Sequence, residues 1–155
     1  MITIRKATIE DLEHILALNK KLFEYESGFT AEYNQEWTYS EVGKEFFRTR
    51  LENENAFALI AQEENGGIAG YILVRIQNTA FRKRSVLAEI ENIFIKEEMR
   101  EKGVGTMLME EVKKILRSKN VPRLKVQALS KNINAIGFYK KHGFSEFLSI
   151  LEIDL

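Results

Sequence analysis

The segment from Ala56 to Ile95 constrains the fold more than any other part of the chain. Three apolar runs of strand length follow one another there: Ala56–Gln62, Ile68–Ile76 and Val86–Ile95. The links between them leave no room for a helix. Asn65-Gly66-Gly67 has the composition of a tight turn that returns a hairpin, and Phe81–Ser85 reads as a second short connection. After Ile95 the period changes. A glycine-bearing turn at Arg100–Gly105 leads into a stretch with apolar residues at Val104, Leu108, Val112, Ile115 and Leu116, the spacing of one helix face. Its other face offers Glu110 and Lys114 as an i,i+4 ion pair. Pro122–Leu129 reads as a strand, Asn132–His142 as a short helix stopped at Gly143, and Phe144–Leu155 as a closing strand.

The N-terminal third supplies one strand and two helices. Ile2–Lys6 alternates in strand fashion, and Thr8 with Asp11 suits a helix start close to a capping box. Leu12, Ile15, Leu16, Leu18 and Leu22 then give an apolar stripe. Ser40 caps a second helix to about Leu51, with Val42, Phe46, Phe47 and Leu51 as its inner face. Hairpins in the first half and strand–helix–strand crossovers in the second predict an α/β chain of the α+β type. It should hold a mixed central sheet flanked by about four helices, in one domain over residues 1–155.

Composition narrows function by exclusion. Twenty-three basic and twenty-three acidic side chains leave zero net charge, so global electrostatics gives no reason to expect nucleic acid or an anionic membrane as partner. The chain has no cysteine, which rules out disulfides, thiolate metal sites and a cysteine nucleophile. No His-Glu-x-x-His or other ligand spacing occurs, so no metal is expected. Neither a signal peptide nor an apolar run of membrane length is visible, and the expectation is a cytoplasmic protein.

Three elements can carry chemistry. The turn Arg100-Glu101-Lys102-Gly103-Val104-Gly105-Thr106 lies between strand and helix. First-turn amides lack intrahelical partners and the helix dipole favours an anion there, so the turn has the chemistry of a diphosphate cradle. It is neither a Walker loop nor a dinucleotide fingerprint, and a glycine-eased turn with solvated charges would have the same spelling. On the preceding strand, Glu89 and Glu91 fall on one face with Leu87, Ile93 and Ile95 at a period of two. Carboxylates on a helix-covered sheet need water, partners or a task such as general base catalysis. Finally, Tyr139 stands on a short helix between Phe138 and two lysines, where a phenol either packs in the core or handles a proton.

Arg-x-x-Gly-x-Gly before a helix, then a strand, then Asn-x-x-Ala-x-x-Phe-Tyr-x-x-x-Gly-Phe, resembles the GNAT superfamily of acetyl-CoA-dependent N-acetyltransferases. The likeness runs from about Ala88 to Phe144. It implies acetyl-CoA as co-substrate, with the backbone of Ile93, Phe94 and Ile95 pairing with the pantetheine arm. The amides of Glu101–Thr106 would hold the pyrophosphate, beside Arg100. Asn132 matches the family asparagine near the pantetheine, and Tyr139 the tyrosine that acts as general acid at the thioester sulfur. Glu91 falls where polyamine-acetylating members keep a glutamate, with Glu89 or a water as the other candidate base.

The same resemblance places Phe23–Gly43 along the acceptor site. That stretch carries five glutamates, six aromatics and no lysine or arginine. Tyr25, Glu26, Tyr33 and Trp37 are the candidate acceptor-binding residues, through carboxylate attraction and cation–π contact. The expected reaction is direct acetyl transfer to a small cationic amine, polyamine-like or lysine-like, in a ternary complex, since no cysteine exists for a covalent relay. Acetylation of a protein N-terminus or lysine is the alternative acceptor class, and a CoA-binding module without turnover the non-enzymatic one. A homodimer stays open as an assembly.

Overall fold

The computed structural model describes residues 1–155. Its sheet is built from β1 (Ile2–Lys6), β2 (Ala56–Glu63), β3 (Ile68–Asn78), β4 (Val86–Ile95) and β5 (Leu124–Val126), in the spatial order β1-β2-β3-β4-β5. The first four strands pair antiparallel and β5 joins β4 in parallel, which makes the sheet mixed. Helices α1 (Leu12–Glu26) and α2 (Glu41–Glu52) cover one face, and α3 (Val104–Ser118) with α4 (Ile133–Lys141) the other. β2 shows why both covers are needed. Leu59 and Ala61 pack towards α3 while Ala58 and Ile60 pack towards α1 and α2, so the strand is apolar on both faces.

Local sequence sets most boundaries. Ser40 Oγ accepts the Gly43 amide at 3.1 Å and opens α2. Thr8 N–H donates to Asp11 Oδ2 at 2.8 Å, and Asp11 is clamped by Arg5 at 2.8 and 2.9 Å, which holds its carboxyl below the ordinary range. The first turn after Thr8 is 3-10, over Ile9–Asp11, and the α-helix begins only at Leu12. Gly143, at φ +95°, follows the end of α4 as a left-handed C′ residue.

Four expectations are corrected. Val42 points to solvent, because Phe46 and Phe47 alone fill the inner face of α2's first turns. Glu110 pairs with Lys113 at 3.1 Å, whereas Lys114 reaches towards Glu111 at 3.8 Å. β5 spans only three residues rather than Pro122–Leu129. Phe144–Leu155 forms no ladder, and beyond Phe144 every residue is exposed. No helix is long and apolar enough to cross a membrane.

Candidate active site

The site begins with an irregularity in β4. Leu73 pairs with Asn92, but the next residue, Val74, pairs with Ile90, so one extra residue, Glu91, is accommodated as a bulge. The extra residue changes which face later side chains occupy. Ile93 and Ile95 pack with Ala88 and Ile90 towards α3, while Phe94 joins the α1–α2 core. The expectation that Glu91 shares a face with Ile93 and Ile95 is therefore corrected, because a strict period of two fails across a bulge.

The bulge coincides with a parting of the sheet. β5 pairs with β4 only at Ala88, Glu89 and Ile90. From Asn92 onward β4 keeps its β3 partner, but its other edge has none. Ile93, Phe94 and Ile95 lie along this open edge. Asn92 sits at its start, with a buried Oδ1 that has no hydrogen-bond partner. The sequence reading missed Asn92. The available signal was an asparagine within a strand rich in isoleucine, against β-propensity.

Beyond β4 the chain builds an amide-lined loop. After the short turn Glu97–Met99 come Arg100 and then Glu101 at φ 63°, with Gly103 at φ 79° as N-cap of α3. The first amide to re-enter regular bonding is Met107, donating to Gly103 O at 3.0 Å. Six successive amides, Glu101 to Thr106, therefore donate to no group of the chain. Left-handed residues interspersed among right-handed ones turn such N–H groups inward as an anion-binding concavity, and the α3 dipole adds to it. A side chain is disfavoured at Gly103 by its positive φ. Gly105 is closed for another reason: a Cβ there would meet the Phe138 ring at 3.1 Å, so glycine lets α4 dock against the start of α3. Arg100 turns inward, its Nε donating to Ile95 O at 3.0 Å and its guanidinium lying over Tyr25 and Phe94.

α4 brings Tyr139 to the same region. Asn132 caps the helix, with Oδ1 accepting the Ala135 amide at 3.2 Å. Tyr139 is buried against Phe138 and Phe144, and its hydroxyl makes no hydrogen bond within the chain. Burial, and then the charge of Glu26, push its phenol up to about 12. The hydroxyl thus keeps its proton at neutral pH. His142, at the end of α4, is pushed below the usual imidazole value by burial and Lys113, against the opposing pull of Glu110.

The two strand carboxylates are already partnered. Glu91, its side chain only 8% exposed, accepts Arg50 Nε at 2.8 Å, Arg50 Nη2 at 3.0 Å and Arg75 Nε at 2.6 Å. Glu89 pairs with Lys125 at 3.0 Å. Both Glu91 oxygens point at guanidinium donors, so Glu91 is an ion-pair centre tying α2 to β3 and β4. Sequence spacing could not show this, because Arg50 lies 41 residues away.

The acceptor-side residues divide. Trp37 stacks on Phe23 at 5.7 Å and packs edge-on against Phe46 and Phe47, so it serves the core. One face of Tyr25 is taken by Arg100, 4.7 Å from the ring centre. Tyr33 remains 40% exposed. Glu26, the last residue of α1, is half-buried, pairs with no cation of the chain, and has its carboxyl raised by burial. Its field reaches Tyr33, Tyr71 and Tyr139, adding to the effect of burial on each. Behind it the fold is held by a buried chain in which Thr38 Oγ1 donates to Asn19 Oδ1 at 2.7 Å and Asn19 Nδ2 donates to the Tyr71 hydroxyl at 3.1 Å.

A parted β4 edge, an amide-lined loop at a helix start and a buried phenol on α4 have the chemistry of a site for an extended, diphosphate-bearing group. Comparison with known proteins gives the family. Residues 19–144 match the model of the Acetyltransferase (GNAT) family, and the chain belongs to it as a GNAT-type N-acetyltransferase. It is similar to a Bacillus subtilis protein provisionally named as a ribosomal protein bS18-alanine N-acetyltransferase, 29% identical over 90% of this chain and 78% of that protein. It is also similar to the spermidine N(1)-acetyltransferase of Thermoplasma acidophilum, 24% identical over 92% of this chain and 88% of that one. The fold matches that of AAC(6')-Iy in complex with the bisubstrate analogue CoA-S-monomethyl-acetylneamine, with a TM-score of 0.78, 17% identity, and 100% and 98% of the two chains covered.

Proposed function

We propose that the protein transfers acetyl from acetyl-CoA directly to the primary amine of a small cationic acceptor, polyamine-like or lysine-like. The observation that carries this reading is Glu26, a half-buried carboxylate without an internal cation, whose field reaches the buried phenol of Tyr139. Burial of an unpaired carboxylate costs stability unless a ligand supplies the counter-charge. An ammonium does so. The spermidine acetyltransferase relative supports the same acceptor chemistry.

The residues fit the donor. Six free amides at Glu101–Thr106 suit a pyrophosphate, and the unpaired edge at Ile93–Ile95, with Asn92 and Asn132, suits the amides of a pantetheine arm. Acetyl-CoA supplies the acetyl thioester. The chain supplies position and protons. A lysine-like amine of pKa about 10.4 is neutral only about once in 10³ molecules near pH 7, a deficit of roughly 4–5 kcal/mol. Glu26 anchors the acceptor and takes up the proton released as nitrogen attacks, since Glu89 and Glu91 are committed to cations. Tyr139, protonated at neutral pH, gives its proton to the departing sulfur. With no cysteine in the chain, both substrates are bound together when the transfer occurs.

A second acceptor, the N-terminal amine of a protein, is favoured by the name of the Bacillus subtilis relative. Comparing kcat/KM for spermidine, lysine derivatives and N-terminal peptides at low and high salt separates the two. We expect a dicationic small amine to be preferred, with rates falling as salt rises. Preference for a peptide without a second positive charge, or indifference to salt, overturns the small-cation reading.

A further inference from the structure

A row of charges crosses the sheet just before β4 and β5 part. In the register of the strands Arg75 of β3 faces Glu89 of β4, and Glu89 faces Lys125 of β5. Register partners share a face, and the neighbours fix which one. Leu73 packs into the α1–α2 core, whereas Ala88, Ile90, Leu124 and Val126 pack towards α3, so the row lies on the α1–α2 side. Neither helix seals it, since the side chains of Arg75 and Lys125 are 37% and 40% exposed. Arg50, from the last turn of α2, joins the row through Glu91.

The signs alternate across the row, positive, negative, positive, and they do not cancel. Arg50, Arg75 and Lys125 supply three cations against the two carboxylates of Glu89 and Glu91. Donors and one acceptor are left over. Arg75 uses only Nε, so its Nη1 and Nη2 donate to no group of the chain. Glu89 meets Lys125 through Oε2, which leaves Oε1 without a cation. A carboxylate shared by the two outer cations, with an ammonium against Glu89, completes this pattern. Those two groups on one carbon are the head of a free α-amino acid. A polyamine brings no anion and meets an excess of positive charge here.

Reach fits the same ligand. The amide-lined loop follows Ile95, so a donor arm leaving it along the open edge passes Ile95, then Ile93, and ends beside Asn92. Asn92 lies three residues from Glu89, ~10 Å of strand. Extended lysine spans ~7–8 Å from Nε to its carboxylate, and a hydrogen bond to the row adds ~3 Å.

We infer that the acceptor is a free α-amino acid with a terminal amine, of lysine's length, its carboxylate held by Arg75 and Lys125 and its α-ammonium by Glu89. The inference rests on the acetyl transfer to a small cationic amine proposed above and narrows that acceptor to a zwitterion. The side-chain nitrogen attacks the thioester carbonyl, and the new N–C bond replaces the C–S bond. The surplus proton on nitrogen passes to Glu26, and the sulfur leaves as the thiol with the proton of Tyr139.

Thiol release from acetyl-CoA by the full chain tests this on three acceptors that differ only at the head: L-lysine, L-lysinamide and cadaverine. L-Lysine should exceed the other two in kcat/KM by about 10–100-fold, the worth of a hydrogen bond between charged groups. Mass spectrometry should find the acetyl group on Nε. Lys125→Met and Arg75→Lys should each bring the lysine-to-lysinamide ratio down towards 1, with the far-UV circular dichroism of the wild type. Arg75→Lys keeps a charge beside Glu91 and reads the row should Lys125→Met fail to fold. A ratio near 1 in the wild type, a ratio that both variants leave intact, or acetyl on Nα overturns the inference. Cadaverine or spermidine preferred over lysine also overturns it, while leaving the small-cation reading in place. A preferred acceptor with no second positive charge overturns both.

Discussion

Replacing Glu91 with glutamine separates two roles for the one carboxylate that sequence position favours as a base. The side chain keeps its length and loses its charge, so Arg50 and Arg75 are left facing a neutral amide that can accept from only one of them well. Removing one partner of a fully buried ion pair costs about 3–5 kcal/mol. Here the cations are 19% and 37% exposed, so water takes over part of their solvation and the cost falls to about 2–3 kcal/mol. For a chain of this size each kcal/mol moves the melting temperature by about 2–4 °C, which predicts a loss of about 4–12 °C. Calorimetry reads the stability, and kcat/KM from pH 6 to 10 reads the chemistry. An ion-pair centre predicts a lower Tm with an unchanged shape of the pH profile. Substituting the cation as well, in R50M/E91Q, should recover part of the stability, because the half-buried charge left behind is the larger penalty. A variant that melts with the wild type, yet loses activity near neutrality and regains it at high pH, would refute this reasoning and restore Glu91 as the base.

Tyr139→Phe deletes one hydroxyl from a packed ring; kcat should fall by about 10²–10⁴ while acetyl-CoA affinity, measured by calorimetry, holds. Unchanged turnover at saturation would return Tyr139 to a packing role. Acetyl-CoA should raise the wild-type Tm, and Gly103→Glu should abolish the shift, because a carboxylate enters the amide loop at a position with φ 79°; a wild-type shift in the variant removes the loop from the binding site. Glu26→Gln should lower kcat/KM and raise the Tm of the free protein at neutral pH. A carboxyl raised by burial binds more protons folded than unfolded, so its contribution is present below the ordinary carboxylate pKa and lost as pH rises through the folded value. The Tm gain should therefore vanish in acid, and a gain that persists at low pH would remove the charge as its cause.

The apolar runs of β2 to β4 and the stripes of α1 and α3 were legible because aliphatic residues mark both. The loop at Glu101–Thr106 was legible because glycine and a helix start leave few local alternatives. What failed was whatever depends on a distant partner. Nothing near Glu91 in the chain announces Arg50, and nothing near Tyr25 announces Arg100. The bulge was invisible for a related reason: an extra residue in β4 is defined only against the register of β3. The tail failed differently. Phe144–Leu155 has the composition of a strand, but it joins no ladder of the sheet.

Several polar groups in this protein have no partner within the chain. They include Asn92 Oδ1, six successive amides before and in the first turn of α3, the outer edge of β4, the hydroxyl of Tyr139 and the carboxylate of Glu26. Elsewhere the same residue types are satisfied: Asp11 by Arg5, Glu91 by two arginines, Asn19 by Thr38 and Tyr71. A sequence able to pair its buried polar groups so thoroughly there had the means to pair the free ones as well. Groups left free in a packed protein lower its stability until something binds them. On the proposed reading, a diphosphate, an amide-bearing arm and an ammonium are the partners these groups lack.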